Sequence, residues 1–241
     1  MDKVELFDDI YAVPENCVYI PREKCIIAAD FHIGYESALE QDGIHIPRFQ
    51  TQTVQDALLN LLDKYSPEKF IILGDLKHDF SRNADQEKKD ISAILRILTK
   101  NTEVVLIKGN HDNYLENISS RFSLPVYEEY EINGVTLVHG HKNILSRPVI
   151  IGHEHPSIRL TDGVGAFLKL PCFMHLRSEG IVVLPAFSPL SAGTDVTRAS
   201  SNSYLSPILK SANVREAELI ACSDIGLIPL GKLSSLDDLL H

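Results

Sequence analysis

The chain has 241 residues, which at about 150 residues per domain means one large domain or two small ones. Hydrophobic residues make up 44% and charged residues 23%, proportions that supply a folded core and exclude a disordered chain. Acidic residues outnumber basic ones by 33 − 23 = 10, which argues against a protein that grips nucleic acid over a broad basic surface. A phosphate substrate stays open, because bound metal ions can reverse the local field.

In chain order, the first buried run is Cys25 to Asp30 (CIIAAD). Lys69 to Asp75 (KFIILGD), Glu103 to Asn110 (EVVLIKGN), Gly134 to Gly140 (GVTLVHG) and Val149 to His153 (VIIGH) follow. Each is a short stretch enriched in β-branched residues and bounded by Gly, Asp or His, the pattern of a buried strand. Between the first two runs, Pro47 is placed to open a helix that continues through Val54, Leu58, Leu61, Leu62 and Tyr65. Between the second and third, Ile91, Ile94, Leu95 and Leu98 repeat the helical spacing behind a charged face. Alternating strands and helices predict an α/β fold with a largely parallel sheet under covering helices.

Beyond residue 155, Ala166 to Leu176 and Ile181 to Phe187 read as further strands joined by a polar turn, and Ala217 to Leu230 as a closing hairpin. Asp195 to Ser203 is rich in Ser and Thr and is expected to be a mobile loop near the site. No linker stands out, so residues 1–241 are expected to form one domain. No run approaches the ~20 apolar residues of a membrane span, and the acidic start lacks the apolar stretch of a signal peptide. A cytoplasmic protein is expected. Cys17, Cys25, Cys172 and Cys222 show no C-x-x-C spacing and are expected to be reduced and structural.

The five buried runs end alike. Their tails are Asp30-Phe31-His32, Gly74-Asp75, Gly109-Asn110-His111-Asp112, His139-Gly140-His141 and Gly152-His153-Glu154-His155. In a parallel sheet such carboxyl ends gather at one edge, where ligand sites form. Taken singly, each tail has a bland alternative: Asp75 as a helix cap, Asn110 as a turn residue, His139 and His153 as hydrogen-bonded core residues. Together, so many polar groups buried at one edge call for compensation. Imidazole, carboxylate and amide oxygen are all good ligands for divalent first-row metals.

D-x-H, G-D, G-N-H-D, H-G-H and G-H-x-H, in that order, closely resemble the motifs of the calcineurin-like metallophosphoesterases. The match runs from Asp30 to His155. Within that family the stretches ADFHIGYE, GDLKHDF and LPAFSPLSAGTDV resemble the ICC-like predicted phosphoesterases, a group related to a ligase-associated endonuclease branch. The resemblance implies a mixed two-sheet sandwich flanked by helices, and a pair of divalent ions, Mn²⁺ foremost, with Fe, Zn, Ni or Co as alternatives. It implies that Asp30, His32 and His155 hold the first ion, Asp75 bridges both, and Asn110, His139 and His153 complete the second. His111 is implied as general acid in hydrolysis of a phosphodiester by metal-activated hydroxide. The implied substrates include nucleotides and nucleic acid. One departure stands out: many members carry a second acid three residues after the bridging Asp, whereas Lys77-His78 moves Asp79 to the fourth position.

Two other activities compete: a phosphomonoesterase acting on a small metabolite, and a non-catalytic scaffold of the same fold. The presence of all seven ligand positions and His111 weighs against the scaffold. His141 is a candidate to face the pocket, and Asp112 reads as an orienting partner. Lys77, His78, Arg82, Lys142, Asn143 and Arg147 follow the ligand motifs and are candidates to contact a substrate, but each is expected to be a solvated surface residue. Glu36 is likewise expected to be solvated, and His45, His175 and His241 receive no role.

Overall fold

The computed structural model describes residues 1–79, 85–161, 166–191 and 193–236. Arg82 and His241 lie outside the described residues. The first sheet contains β1 (Val4–Phe7), β2 (Ile10–Val13), β3 (Cys17–Ile20), β4 (Cys25–Ala28), β5 (Lys69–Leu73), β6 (Glu103–Ile107) and β7 (Val126–Tyr127), in that spatial order. Its first four strands pair antiparallel, and β4 to β7 run parallel. The second sheet contains β8 (Tyr130–Ile132), β9 (Val135–Val138), β10 (Val149–Ile151), β11 (Pro156–Thr161), β12 (Phe167–Leu176), β13 (Ile181–Val183) and β14 (Thr194–Asp195). The hairpin of β15 (Glu218–Ser223) and β16 (Gly226–Lys232) joins it along β12. Here β9, β10 and β13 are parallel.

The mixed two-sheet sandwich implied by the family resemblance is what forms, where strand–helix alternation alone suggested a largely parallel sheet, and the five motif-bearing strands are divided between the two sheets. Side-chain period explains why. In β4 and β5, Ile27, Ile71 and Leu73 face one way and pack with Leu137, Ile150 and Val182 of the second sheet. Their neighbours Ile26, Phe70 and Ile72 face the other way, onto helices α2 (Gln50–Tyr65) and α3 (Asp85–Asn101) through Leu58, Leu61, Ile91 and Leu95. The outer face of the second sheet is covered by the C-terminal region, including Ile208 and Leu209. Helices outside and sheets face to face give a helix–sheet–sheet–helix sandwich.

Local differences have local causes. Pro47 precedes the helix without opening it; α2 starts at Gln50. Its first amides are satisfied by Glu36, on the short helix α1 (Tyr35–Gln41), whose Oε1 accepts from Phe49 N at 2.6 Å and Gln50 N at 2.7 Å. Glu36 is therefore a buried capping group, in place of the solvated residue expected. The 181–187 run stops pairing as a strand at Val183, but Phe187 N still donates to Ala29 O at 2.8 Å, which ties it to the first sheet. The 195–203 segment is held at both flanks. Thr194 Oγ1 donates to Glu154 Oε1 at 2.8 Å, and Leu205 N and Ser206 N donate to Glu154 Oε2 at 2.8 and 3.0 Å. All four cysteines are buried and free. Among the described residues, no helix is long and apolar enough to cross a membrane.

Candidate metal centre

The carboxyl ends of β4, β5 and β6 in one sheet and of β9 and β10 in the other meet at one edge of the sandwich. The chain turns sharply there. Asp30, His32, Asp75, His153 and His155 all have positive φ, between 46° and 67°, a backbone region that non-glycine residues rarely occupy. Such conformations cost free energy and concentrate where a side chain must be aimed. Close approach shapes the same edge. A Cβ on Gly109 would overlap the Asp75 carboxylate, so the G-N-H-D loop can cross that carboxylate only with glycine there.

Two groups of donors result. Asp30, His32 and His155 bring their ligand atoms within 4.8 Å of one another, as do Asp75, His139 and His153. In the first group, His155 Nε2 lies 3.2 Å from Asp30 Oδ1 and from His32 Nε2. In the second, His139 Nε2 lies 3.2 Å from Asp75 Oδ2 and 3.1 Å from Asn110 Oδ1. Asp75 joins the groups, because the same Oδ2 is 3.8 Å from His32 Nε2. All seven residues singled out as ligands from the sequence are therefore brought together here.

The protonation pattern follows from burial and charge. Burial alone would raise the Asp30 and Asp75 carboxyls, but the surrounding imidazoles prevail and hold both below the usual range, so both stay ionised. Burial pushes His32 down to about 3 and His153 down to about 4, leaving neutral rings with lone pairs to offer. Burial opposes protonation of His139 too, yet Asp75 and then Asp30 raise it to about 9; Asp30 likewise raises His155. Protons on His139 and His155 thus stand where cations would neutralise the two carboxylates. His139 Nδ1 meets Leu73 O at 3.2 Å, which turns Nε2 inward as in ligating histidines. Among the described residues, His32 Nδ1 is buried without a hydrogen-bond partner. Ionised carboxylates, an amide oxygen and imidazole nitrogens form a donor set that fits divalent first-row metals.

His111 sits beside this centre. Its Nδ1 bonds His78 O at 2.5 Å, which leaves Nε2 on the inner side, 3.8 Å from Asp75 Oδ2. Burial lowers its pKa, with Asp75 opposing. The surroundings correct several expectations. Lys77 is completely buried, because its ammonium lies among Asp79 O, His111 O and the Glu87 carboxylate. His78 is half-buried, stacked on His111 with ring centroids 5.4 Å apart and tilted against Tyr35 at 4.3 Å. His32, His78 and His111 form a third group of converging nitrogens. His175, which drew no role, is buried in β12 against Phe7. Asp112 is buried and bonds Gly109 N at 2.8 Å and Lys77 N at 3.2 Å, so it orients loops and not a histidine. Lys142, Asn143 and Arg147 are exposed as expected.

Two cavities each include one of the candidate ligands in their lining. One of about 180 Å³ includes His139, His141, Lys142 and Glu128 in its lining, which places His141 at a pocket wall. The other, of about 270 Å³, includes His155, Ser157, Lys169 and Ser188.

The sequence model of the calcineurin-like phosphoesterases matches residues 24–202. Among solved structures, the chain is similar to the nuclease MPE of Pseudomonas putida, at 25% identity over 95% of this chain and 98% of that one, with a TM-score of 0.69. It also matches the E. coli phosphoesterase Yfce, at 17% identity over 70% of this chain and 83% of that one, with a TM-score of 0.41. No curated protein matches the chain.

Proposed function

The chain belongs to the calcineurin-like phosphoesterase family, and from that premise we propose that it hydrolyses phosphodiesters, in nucleic acid or nucleotides, using two divalent metal ions. One observation carries the reading: Asp75 Oδ2 lies within 3.8 Å of ring nitrogens from both donor groups and of His111 Nε2. A single carboxylate oxygen reaching both groups suits a bridging ligand. Asp30, His32 and His155 would hold one ion and Asn110, His139 and His153 the other, with Asp75 available to both. Divalent ions bound there supply Lewis acidity and an activated water, Mn²⁺ being the foremost candidate.

The chain's own residues do the rest. The ionised carboxylates of Asp30 and Asp75 set the charge of the centre and orient the imidazoles around it. His111, anchored at Nδ1 by the His78 carbonyl, presents Nε2 to the substrate and gives a proton to the leaving oxygen from its charged form. The nuclease name of the similar Pseudomonas protein points to phosphodiesters as the substrate class.

The test is a substrate panel with the purified chain and Mn²⁺: bis-nitrophenyl phosphate, nitrophenyl phosphate, and single-stranded and duplex oligonucleotides. Diesters and oligonucleotides are expected to be cleaved faster than the monoester, with chelator abolishing activity. Faster monoester cleavage would favour the metabolite phosphatase, and no hydrolysis at all would favour the scaffold.

A further inference from the structure

Lys77 is a lysine with no solvent contact in a loop that otherwise looks polar, and its partner Glu87, on the first turn of α3, is equally enclosed. Burying such a pair is costly unless every donor and acceptor is used. Here one carboxylate oxygen and the ammonium are used on one piece of backbone, while Glu87 Oε2 meets only the Lys77 charge. Glu87 Oε1 accepts from His78 N at 3.2 Å and from Asp79 N at 3.1 Å. Lys77 Nζ donates to Asp79 O, meets His111 O at 3.4 Å, and lies 3.7 Å from Glu87 Oε2. The two charges therefore clamp the peptide groups on either side of the His78 carbonyl and the carbonyl of His111 itself. The His78 carbonyl is the group that receives His111 Nδ1.

Independent features keep the clamp in place. Gly34 has φ +99°, which favours glycine, and a Cβ there would lie 3.0 Å from Glu87 Oε1, so a side chain would crowd the carboxylate. Asp112 ties the amide of Lys77 to that of Gly109, linking the loop after β5 to the one after β6.

We propose that Glu87 and Lys77 are positioning residues that hold the ring direction of His111 and keep a proton on Nδ1, so that the charged ring delivers its Nε2 proton and is left as the Nδ1–H tautomer. This rests on the general-acid reading of His111. With the His78 carbonyl held, Nδ1 must carry a proton to satisfy it. The proton that moves is then the one on Nε2, the nitrogen facing Asp75. If the loop is loosened, the ring can rotate or exchange tautomers, and the acid is misaligned while the ligands stay in place.

Glu87→Gln tests this, since it removes the charge but keeps the shape. Its metal content should match the parent. Its rate on bis-nitrophenyl phosphate, whose leaving group needs little help, should stay close to the parent rate. Its rate on a dinucleotide should fall about tenfold or more. Nitrogen NMR of the histidine rings should show His111 losing its Nδ1–H signature, a readout that needs no turnover. Should Glu87→Gln fold poorly because Lys77 is left unpaired, the double variant Glu87→Gln/Lys77→Met removes both charges. It should recover thermal stability but not dinucleotide cleavage. An unchanged His111 tautomer, an equal loss on both substrates, or full recovery in the double variant would overturn the proposal. If the parent cleaves neither substrate, the phosphodiesterase reading fails, while the NMR arm still decides the positioning role.

Discussion

The Nε2 atoms of His32 and His155 lie 3.2 Å apart, although 123 positions separate them in the chain. Two ring nitrogens at that distance repel unless a proton or a cation lies between their lone pairs. The proton favours His155, which Asp30 charges, while burial keeps His32 neutral. A divalent ion would satisfy both rings and Asp30 together. Adding Mn²⁺ to chelated protein should therefore raise the melting temperature. At a free concentration 100 times the Kd, the gain is about 2.7 kcal/mol. No shift with Mn²⁺, Zn²⁺ or Co²⁺ would mean that the cluster is held by protons alone.

The position of Asp75 between the two donor groups makes its substitution distinct from that of its neighbours. Asp75→Asn should weaken both ion sites and reduce diester cleavage by orders of magnitude. Asn110→Ala, which alters only the His139 side, should mainly weaken the second site. Elemental analysis of the two variants at limiting metal checks this. Equal loss of both ions in each would undo the assignment.

His111→Ala separates a proton donor from a ligand. Losing a general acid typically costs ~10²–10⁴ in rate where the leaving group needs protonation. The variant should be much slower on a dinucleotide than on a nitrophenyl diester and should keep its metal. His153→Ala should lose metal and slow on both. Metal loss in His111→Ala, or the same slowing on both substrates, would remove His111 from the acid role.

Much of this site was legible in the sequence because strand ends punctuate strongly. The runs CIIAAD, KFIILGD and EVVLIKGN each pass from β-branched residues to a polar turn, and the turn residues Asp30, Asp75 and Asn110 are among those that converge at the candidate site. What was not legible depends on partners distant in the chain. Lys77 and Glu36 sit in charged surroundings, and their burial comes from Glu87 and from the exposed amides at the start of α2. The division into two sheets was equally hidden to patterning. Strands covered on both faces read as continuous apolar runs whether the cover is a helix or a second sheet. The antiparallel strands β1 to β3 are too short for period alone to reveal.

The segment after Gly193 gives a prediction about dynamics. Glu154, between His153 and His155, accepts hydrogen bonds from Thr194, Leu205 and Ser206. Hydrogen exchange should show protected amides at Leu205 and Ser206 and faster exchange between them and Thr194. Glu154→Ala should release Leu205 and Ser206, while Phe70 to Leu73 stay protected. Protection unchanged in the variant would show that Glu154 is no anchor.

His175 sets a pH dependence away from the metal ligands. Burial pushes it down to about 4, with Arg177 adding to the shift and Glu218 opposing it. The unfolded ring has a pKa of about 6.5, so above that pH neither state binds the proton and stability is unaffected. As pH falls from about 6.5 towards 4, the unfolded chain protonates first, and stability is lost. At pH 5 the loss is about 2 kcal/mol. Denaturant unfolding of parent and His175→Leu should show the parent losing about that much more between pH 7 and 5. Parallel pH profiles would contradict the shift.

The most direct measurement is the metal content per chain at full diesterase activity, read by elemental analysis on chelated protein titrated with Mn²⁺. Two donor groups sharing Asp75 predict that activity rises until close to two ions are bound per chain and then levels off. Full activity at one ion per chain would contradict the two-metal centre.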